Sequence, residues 1–351
     1  MFFDARLGRL LLAALLVGSI ASARQSQPAP QTNGNRINLD VVVTPKSGAP
    51  VGDLAQQDFT VLDNKTPQTI TSFKAVNGRQ ASAEIVLVID AVNASYSNVS
   101  YQRTQIDKFL RADEGRLTRP IALAIFTDQG ARVVGDFSMD GNALSAALRR
   151  EDVALRTIER STGFWGATER WQISLQSMTQ LVTKVAPHPG RKIVICISPG
   201  WPLLSGPRVE IDSKLQRQIF GDVVKLSTQM RQGRVTLYNV DPLGPGESTL
   251  RTFYYEDFLK GITKPSQAQA GDLGLQVLAV QSGGLAITAG NDIAGDLQRC
   301  LADIAPYYEM SFDPAPGTQA DQYHQLQIKV AKDGLTARTR QGYYAQPSLS
   351  Q

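Results

Sequence analysis

The 351-residue sequence has few residues of the types that build most catalytic and metal sites. It contains two cysteines and two histidines, too few for a disulfide framework or for zinc ligation by Cys and His. No Gly-x-Ser-x-Gly elbow lies near His188 or His324, and no glycine-rich phosphate loop follows a predicted strand. We therefore expect a protein that is not an enzyme. A hydrolase with a site built from ordinary polar residues remains an alternative.

An excess of charge of one sign is also lacking. The formal net charge is +4, and the basic residues are scattered along the chain. Nucleic-acid-binding domains concentrate Lys and Arg on one face or helix. This composition therefore predicts no nucleic-acid partner.

Long hydrophobic runs are limited to one, near the start of the chain. The apolar stretch from Leu10 to Ile20 follows Arg6 and Arg9 and precedes a small-residue site at residues 21–23. This pattern is typical of a signal peptide, and a membrane span needs roughly 20 residues. We expect a signal peptide over residues 1–23 and a secreted or periplasmic protein with no integral membrane segment after cleavage. Retention of the segment as an anchor is the alternative.

Period-two patterns occur at both ends of the remaining chain. After a Pro/Gln/Asn-rich linker over residues 24–36, apolar and polar residues alternate within residues 37–78, and the same alternation returns over residues 306–345. Alternation of this kind is typical of half-buried strands. Because each piece is too small to fold alone, we expect the two to form one small β-sandwich.

The middle of the chain, residues 83–305, alternates apolar strand-like runs with helical patterns. The runs EIVLVID, PIALAIFT, RKIVICIS and RVTLYNV are rich in β-branched residues, as in parallel strands that are buried on both faces. The pattern predicts an α/β domain with a doubly wound, mostly parallel sheet, inserted between the two halves of the sandwich. Ligands of such sheets bind beyond the carboxyl ends of the strands.

Several segments in this order resemble the von Willebrand factor type A (VWFA) family, and more closely the VWFA-related proteins of acidobacterial type. The segments are INLDVVV, DFTVLDNKTPQTITSF, VLVIDAVN, YQRTQIDKFL, GDFSMDGNALSAAL, GRKIVICISPGWP, TLYNVDP, YYEMSF and RQGYY. The resemblance extends over nearly the whole chain after the linker. It implies a Rossmann-like fold and binding of a protein partner at the cell envelope.

Members of the VWFA family hold a divalent metal in an adhesion site at the strand ends, and the resemblance places the equivalent positions here. Asp90 matches the first ligand, but Val92 and Ala94 occupy the two serine positions. Thr168 matches the threonine of the second loop, whereas residues 198–200 in the third loop offer no carboxylate. Mg²⁺ requires several oxygen ligands, so the resemblance implies a degenerate adhesion site.

We expect Asp90 to accept hydrogen bonds from loop amides instead of binding metal. Asn93 offers an amide oxygen, and Ser95 or Ser97 a hydroxyl. Weak binding of Mg²⁺ or Mn²⁺, with Asp90 and Thr168 as residual ligands, is therefore kept as an alternative. On that alternative the protein is a divalent-cation-dependent adhesion or ligand-binding protein.

Aromatic residues occur in the loops that are predicted to follow the strands. Phe164 and Trp165 fall in the second loop, and Trp201 falls in the third. Two interpretations stay open: the rings pack within their own loops, or they form an exposed patch that recognises a partner. The candidate ligand-binding residues are Asp90, Asn93, Phe164, Trp165, Thr168 and Trp201.

Overall fold

A computed structural model describes residues 36–78, 83–151, 163–202, 204, 211–242, 255–288, 292–315 and 319–346. The predicted signal peptide and residues 24–35 of the predicted linker lie outside these ranges. Within them, no helix has the length and apolar character needed to cross a membrane.

The described chain contains fourteen strands and six α-helices. The strands are β1 (Ile37–Pro45), β2 (Phe59–Asp63), β3 (Thr66–Gln68), β4 (Ser72–Val76), β5 (Ala83–Asp90), β6 (Arg116–Thr127), β7 (Gly130–Asp140), β8 (Arg191–Ile197), β9 (Val235–Val240), β10 (Ala286–Ile287), β11 (Tyr307–Phe312), β12 (Tyr323–Val330), β13 (Leu335–Arg338) and β14 (Gly342–Tyr344). The helices are α1 (Tyr96–Arg111), α2 (Gly141–Arg150), α3 (Gly163–Val185), α4 (Ser213–Gln232), α5 (Leu275–Gln281) and α6 (Ile293–Ile304).

The central sheet has the strand order β10-β9-β8-β5-β6-β7. Neighbouring strands from β10 to β6 are parallel, and β7 returns antiparallel to β6 at the edge. Residues of β5 alternate between the two faces, so Leu87 lies in the core with α1, α2 and α6, while Val88 lies in the core with α3, α4 and α5. The doubly wound, mostly parallel sheet predicted from the sequence is confirmed.

Strands from both ends of the chain form the flanking antiparallel sheets. One sheet has the order β13-β1-β11-β4 and the other the order β14-β12-β2-β3. Both sheets contribute to one core, in which Val41 and Tyr308 of the first sheet pack with Val61 and Ile328 of the second. The N- and C-terminal segments thus form one sandwich into which the α/β part is inserted, as the period-two patterns predict.

Side-chain caps fix where several helices begin. Ser95 accepts a hydrogen bond from the Asn98 amide at the start of α1, and Asp212 accepts one from the Leu215 amide at the start of α4. Both helices follow a parallel strand, β5 and β8 respectively. Their amino ends therefore lie at the carboxyl edge of the central sheet.

Both cysteines are buried and form no disulfide. Cys196 lies in β8, and burial raises the pKa of its thiol well above the usual value. Cys300 lies in α6, where burial raises the pKa of its thiol to about 12. Since the thiolate is the reactive form, both side chains act as small apolar core residues.

Candidate functional site

Polar side chains meet where three neighbouring strands end. The register pairs Ile89 of β5 with Ile197 of β8, and Ile197 with Val240 of β9. The residues that follow these three are Asp90, Ser198 and Asp241, respectively, and all are buried. Parallel strands thereby place three polar groups side by side at the carboxyl edge, where ligands of doubly wound sheets bind.

Asp90 accepts four hydrogen bonds from within the protein. Its Oδ1 accepts the backbone amides of Val92 (3.0 Å) and Asn93 (3.1 Å). Its Oδ2 accepts Asn93 Nδ2 (2.8 Å) and the Ser198 hydroxyl (2.6 Å). Burial raises the pKa of Asp90, while the hydrogen bonds from Ser198 and Asn93 oppose that rise. The structure thus shows the loop-amide bonds expected of an aspartate that organises a turn.

Further hydrogen bonds connect this carboxylate to the loop after β8 and to helix α3. The Asn93 Nδ2 atom also lies 2.8 Å from the Ser174 hydroxyl, which donates to the carbonyl of Arg170 (2.7 Å). On the other side, the Gly200 amide donates to the Ser198 hydroxyl (3.1 Å). Asp90 therefore holds together two loops and one helix.

Two members of this network did not emerge from the sequence. Ser174 lies on the buried face of α3, three residues after Trp171 and four before Met178. A serine within this apolar stripe was the feature of the sequence that indicated a buried polar contact. Asn239 occupies a buried position in β9, and its Nδ2 donates to the Ser198 carbonyl (2.9 Å). A polar residue in a strand that is otherwise apolar was the corresponding signal.

The donor set does not fit the divalent metal of an adhesion site. Val92 and Ala94, at the positions of the two serine ligands, are 0% and 1% exposed, and their side chains carry no oxygen. Both oxygens of Asp90 are occupied, and Ser198 directs its proton toward Asp90. The described part of the chain contains no group of three or more His, Cys, Asp or Glu residues that could hold a metal ion. Hydrated Mg²⁺ prefers carboxylate oxygens that are free to coordinate.

Thr168 does not lie where the resemblance places it. It belongs to helix α3, not to a loop, and its hydroxyl donates to the Phe164 carbonyl one turn earlier (3.0 Å). The residue of α3 that bonds to Asn93 is Ser174, six positions further along the helix. Because α3 includes all residues from Gly163 to Val185, Thr168 lies within the helix and bonds to its own helix, not to Asp90 or Asn93.

The candidate aromatic residues separate into buried and exposed groups. Trp201 is 3% exposed and belongs to the core cluster that contains Val92 and Trp171. It is therefore a packing residue and not part of an exposed patch, which corrects its assignment as a ligand-binding candidate. Trp165 is 80% exposed and Phe164 is 47% exposed, and their rings meet edge to face with centroids 5.8 Å apart.

The length of α3 explains why these two rings project from the molecule. The helix has 23 residues, which corresponds to about 35 Å, whereas the seven residues of β8 span about 23 Å. Trp165 precedes Ser174, the helix residue bonded at the strand end, by nine positions, or about 13 Å along the axis. The amino end of α3 therefore extends beyond the carboxyl edge of the sheet.

Most of the exposed large hydrophobic residues lie at this edge. Among the described residues they are Tyr96, Tyr101, Met139, Phe164, Trp165 and Leu215. All except Met139 belong to the first two turns of α1, α3 or α4, whose amino ends lie at the carboxyl edge. Met139 lies near the end of the antiparallel strand β7, at the opposite edge. We call the five residues other than Met139 the edge patch.

No protein-family model matches the sequence, and no curated protein matches it. Similar solved structures include the human COPII-coat protein Sec24c, with 11% identity and a TM-score of 0.35, covering 76% of this chain and 44% of that chain. Protein BatB from Bacteroides thetaiotaomicron has 9% identity and a TM-score of 0.34, covering 63% of this chain and 98% of that chain. The SpRpn10 VWA domain has 11% identity and a TM-score of 0.30, covering 62% and 94%.

These likenesses concern the fold alone. The sheet order and the helices on both faces, described above, define a doubly wound α/β fold for residues 83–305 of the described chain. The chain spans less than half the length of the Sec24c chain that it matches.

We expect Asp90→Ala to lower the free energy of unfolding by about 2–3 kcal/mol, because it leaves several buried donors without an acceptor. Asp90→Asn is the matched control. It keeps one acceptor oxygen, and the Ser198 hydroxyl can rotate to accept from the new amide, so we expect a smaller loss. Urea denaturation of the three proteins measures both changes. Equal stability of wild type and Asp90→Ala would contradict the organising role of Asp90.

Proposed function

We propose that this chain is an exported, non-enzymatic VWFA-related protein of the acidobacterial type that binds or scaffolds a protein partner at the cell envelope. The observation that carries the proposal is the edge patch at the carboxyl edge of the sheet. Trp165, its most exposed member, is 80% accessible. Large aromatic residues on a surface favour protein interfaces, where they supply the side chains that dominate the binding energy.

The closed Asp90 network supports binding without metal and without catalysis. A catalytic or metal-binding carboxylate needs a free oxygen that a substrate or ion can reach, whereas Asp90 is 0% exposed and has four donors. Its role on this proposal is to hold the loops and α3 in place, so that Phe164 and Trp165 are presented on a rigid element. On this proposal the residues at the adhesion-site position no longer bind a metal ion, but they still hold the surrounding loops and α3 in place.

The partner is expected to lie across the edge of the sheet. Tyr96 and Tyr101 belong to α1 on one face of the sheet, while Phe164, Trp165 and Leu215 belong to α3 and α4 on the other face. A small ligand in a cavity needs converging side chains, whereas residues spread over both faces suit a macromolecular surface. This distribution favours a protein partner.

We expect Trp165→Ala to weaken partner binding at least tenfold, a loss of about 1.4 kcal/mol or more, because an aromatic anchor is removed. The melting temperature should stay unchanged, since the ring is exposed. Met139→Ala is the matched control: it removes a side chain that is 49% exposed at the opposite edge. The partner is first identified by crosslinking in envelope extract, and its affinity is then measured by calorimetry.

The same measurements separate the proposal from its alternatives. Binding should be unchanged by EDTA and by added Mg²⁺ or Mn²⁺, and neither cation should raise the melting temperature. Loss of binding in EDTA would favour the cation-dependent adhesion protein instead. Equal affinity of wild type and Trp165→Ala for the identified partner would remove the edge patch as the binding surface.

A further inference from the structure

Two buried arginines near the junction of the sandwich and the α/β part lack a counter-charge. Arg231, in the last turn of α4, is 9% exposed, and Arg340, between β13 and β14, is 8% exposed. The Nε of Arg231 is fully buried without a hydrogen-bond partner, and none of the ion pairs among the described residues involves Arg231 or Arg340. Buried charges in proteins are normally paired, because an unpaired buried charge is strongly destabilising.

The nearby carboxylates are already neutralised by another arginine. Arg234 bonds to Asp40 and, at 2.8 Å, to Glu309. The negative charge of Asp40 raises the pKa of Arg340, but this effect is smaller than the lowering caused by burial and by Arg231. Burial and the charge of Arg231 together lower the pKa of Arg340 to about 10. An excess of positive charge therefore remains around Arg231 and Arg340.

A groove gives access to this region from solvent. It has a volume of about 520 Å³ and runs between β12 and β13, consecutive strands that belong to different sheets of the sandwich. Arg340 lines it together with Lys329 and Arg338, and no Asp or Glu does. Arg338 is paired with Asp303, whereas Lys329 is exposed. The groove is therefore positively charged, with Arg340 as its buried, unpaired member.

We propose that Arg340 anchors a binding site for the carboxylate or phosphate group of a small organic anion that occupies the groove between β12 and β13, with the charge of Arg231 adding to the positive potential there. The planar guanidinium fork matches both groups through paired hydrogen bonds. The volume of the groove is within the range of small-molecule sites, about 300–1,000 Å³. This site is separate from the edge patch, and it does not depend on the function proposed above.

A ligand that binds only the folded state raises the melting temperature. With citrate and inorganic phosphate as probes, we expect each to raise the melting temperature of the wild-type protein above that in chloride of equal ionic strength. The larger of the two shifts identifies carboxylate or phosphate as the preferred group. Arg340→Met should abolish the shift and Arg231→Met should reduce it, while Lys329→Gln, which removes an exposed charge of the same groove, should retain it.

The behaviour of the variants in chloride distinguishes ligand binding from a structural role. Because each Met variant removes an unpaired buried charge, we expect both to melt at a higher temperature than wild type when no oxyanion is present. Arg340→Lys keeps the charge and loses the fork, so it should fold and require at least tenfold more citrate or phosphate for half of the shift. No shift in wild type, or an equal shift in wild type and the Met and Lys variants, would overturn the proposal.

Discussion

Replacing Trp201 with alanine is expected to lower the free energy of unfolding by about 3–5 kcal/mol, as for other large aromatic residues deleted from a core. The side chain is 3% exposed and packs in the cluster on the α3 and α4 face of the sheet. Its indole nitrogen has no hydrogen-bond partner in the described structure, so the loss is one of packing. Chemical denaturation of the purified variant measures it.

Trp165→Ala and Trp201→Phe are the controls for this result. Trp165 is 80% exposed, so its removal should change stability by less than about 0.5 kcal/mol. Trp201→Phe keeps a ring in the core and should cost less than the alanine variant. A stable Trp201→Ala together with a destabilised Trp165→Ala would contradict the division between packing residue and exposed anchor.

Loss of Trp201 should also disturb the Asp90 network through the loop after β8. Gly200, the residue before Trp201, has a φ of +92° and donates its amide to the Ser198 hydroxyl. This left-handed φ favours glycine, and a Cβ at Gly200 would in addition require the side chain of Gln276 to shift. Trp201 thus anchors a loop whose other end supplies a donor to Asp90, and packing and polar order at the strand ends are coupled.

The sequence was sufficient for the parts of the fold that depend on periodicity. Apolar runs with β-branched residues predicted the parallel strands, and period-two alternation predicted that the two ends share a sandwich. The helical structure of residues 163–168 was not predicted, because the resemblance placed Phe164, Trp165 and Thr168 in a loop. Gly166 is a weak helix former, yet it lies within α3 and is buried there, so packing outweighs propensity at this residue. Gly163, the first residue of the described helix, has a φ of +72°, a conformation that favours glycine.

The hydrogen bonds of the site could be predicted where both partners belong to one loop. They were harder to predict where the partners come from distant segments of the chain. Asp90 and Asn93 are three residues apart, and their hydrogen bonds follow from a local turn. The contribution of Ser198 depends on strand register across 108 residues. Arg231 and Arg340 are likewise distant in sequence, and composition alone showed only scattered basic residues. Burial, which a single sequence does not give directly, distinguishes such residues.

Truncation after Pro314 tests the shared sandwich, and we expect it to unfold the N-terminal strands as well as to remove the C-terminal ones. The truncation deletes β12, β13 and β14. β2 then loses the partner that pairs Phe59 with Val330 and Val61 with Ile328, and β1 loses β13. The remaining two-stranded ribbon of β2 and β3 is too small to be stable in water.

Hydrogen exchange measures this outcome segment by segment. Amides of β1 and β2 should lose most of their protection, since protection reflects local stability. The central strands β5 and β8 should remain more protected, because all their ladder partners are retained. They should still exchange faster than in the full chain, because Tyr344, which packs against Phe220 of α4, is lost from that core.

A peptide of residues 315–351 added in trans provides the control for this experiment. If the sandwich is one folding unit, the peptide should restore protection in β1 and β2 by supplying the missing strands. Protection of residues 37–63 in the truncated chain without the peptide would show that the N-terminal strands fold independently of the C-terminal ones. Each sheet contains strands from both ends of the chain, in the order β13-β1-β11-β4 and β14-β12-β2-β3. Removal of one end therefore leaves gaps in both layers, and neither sheet keeps a complete face for the shared core.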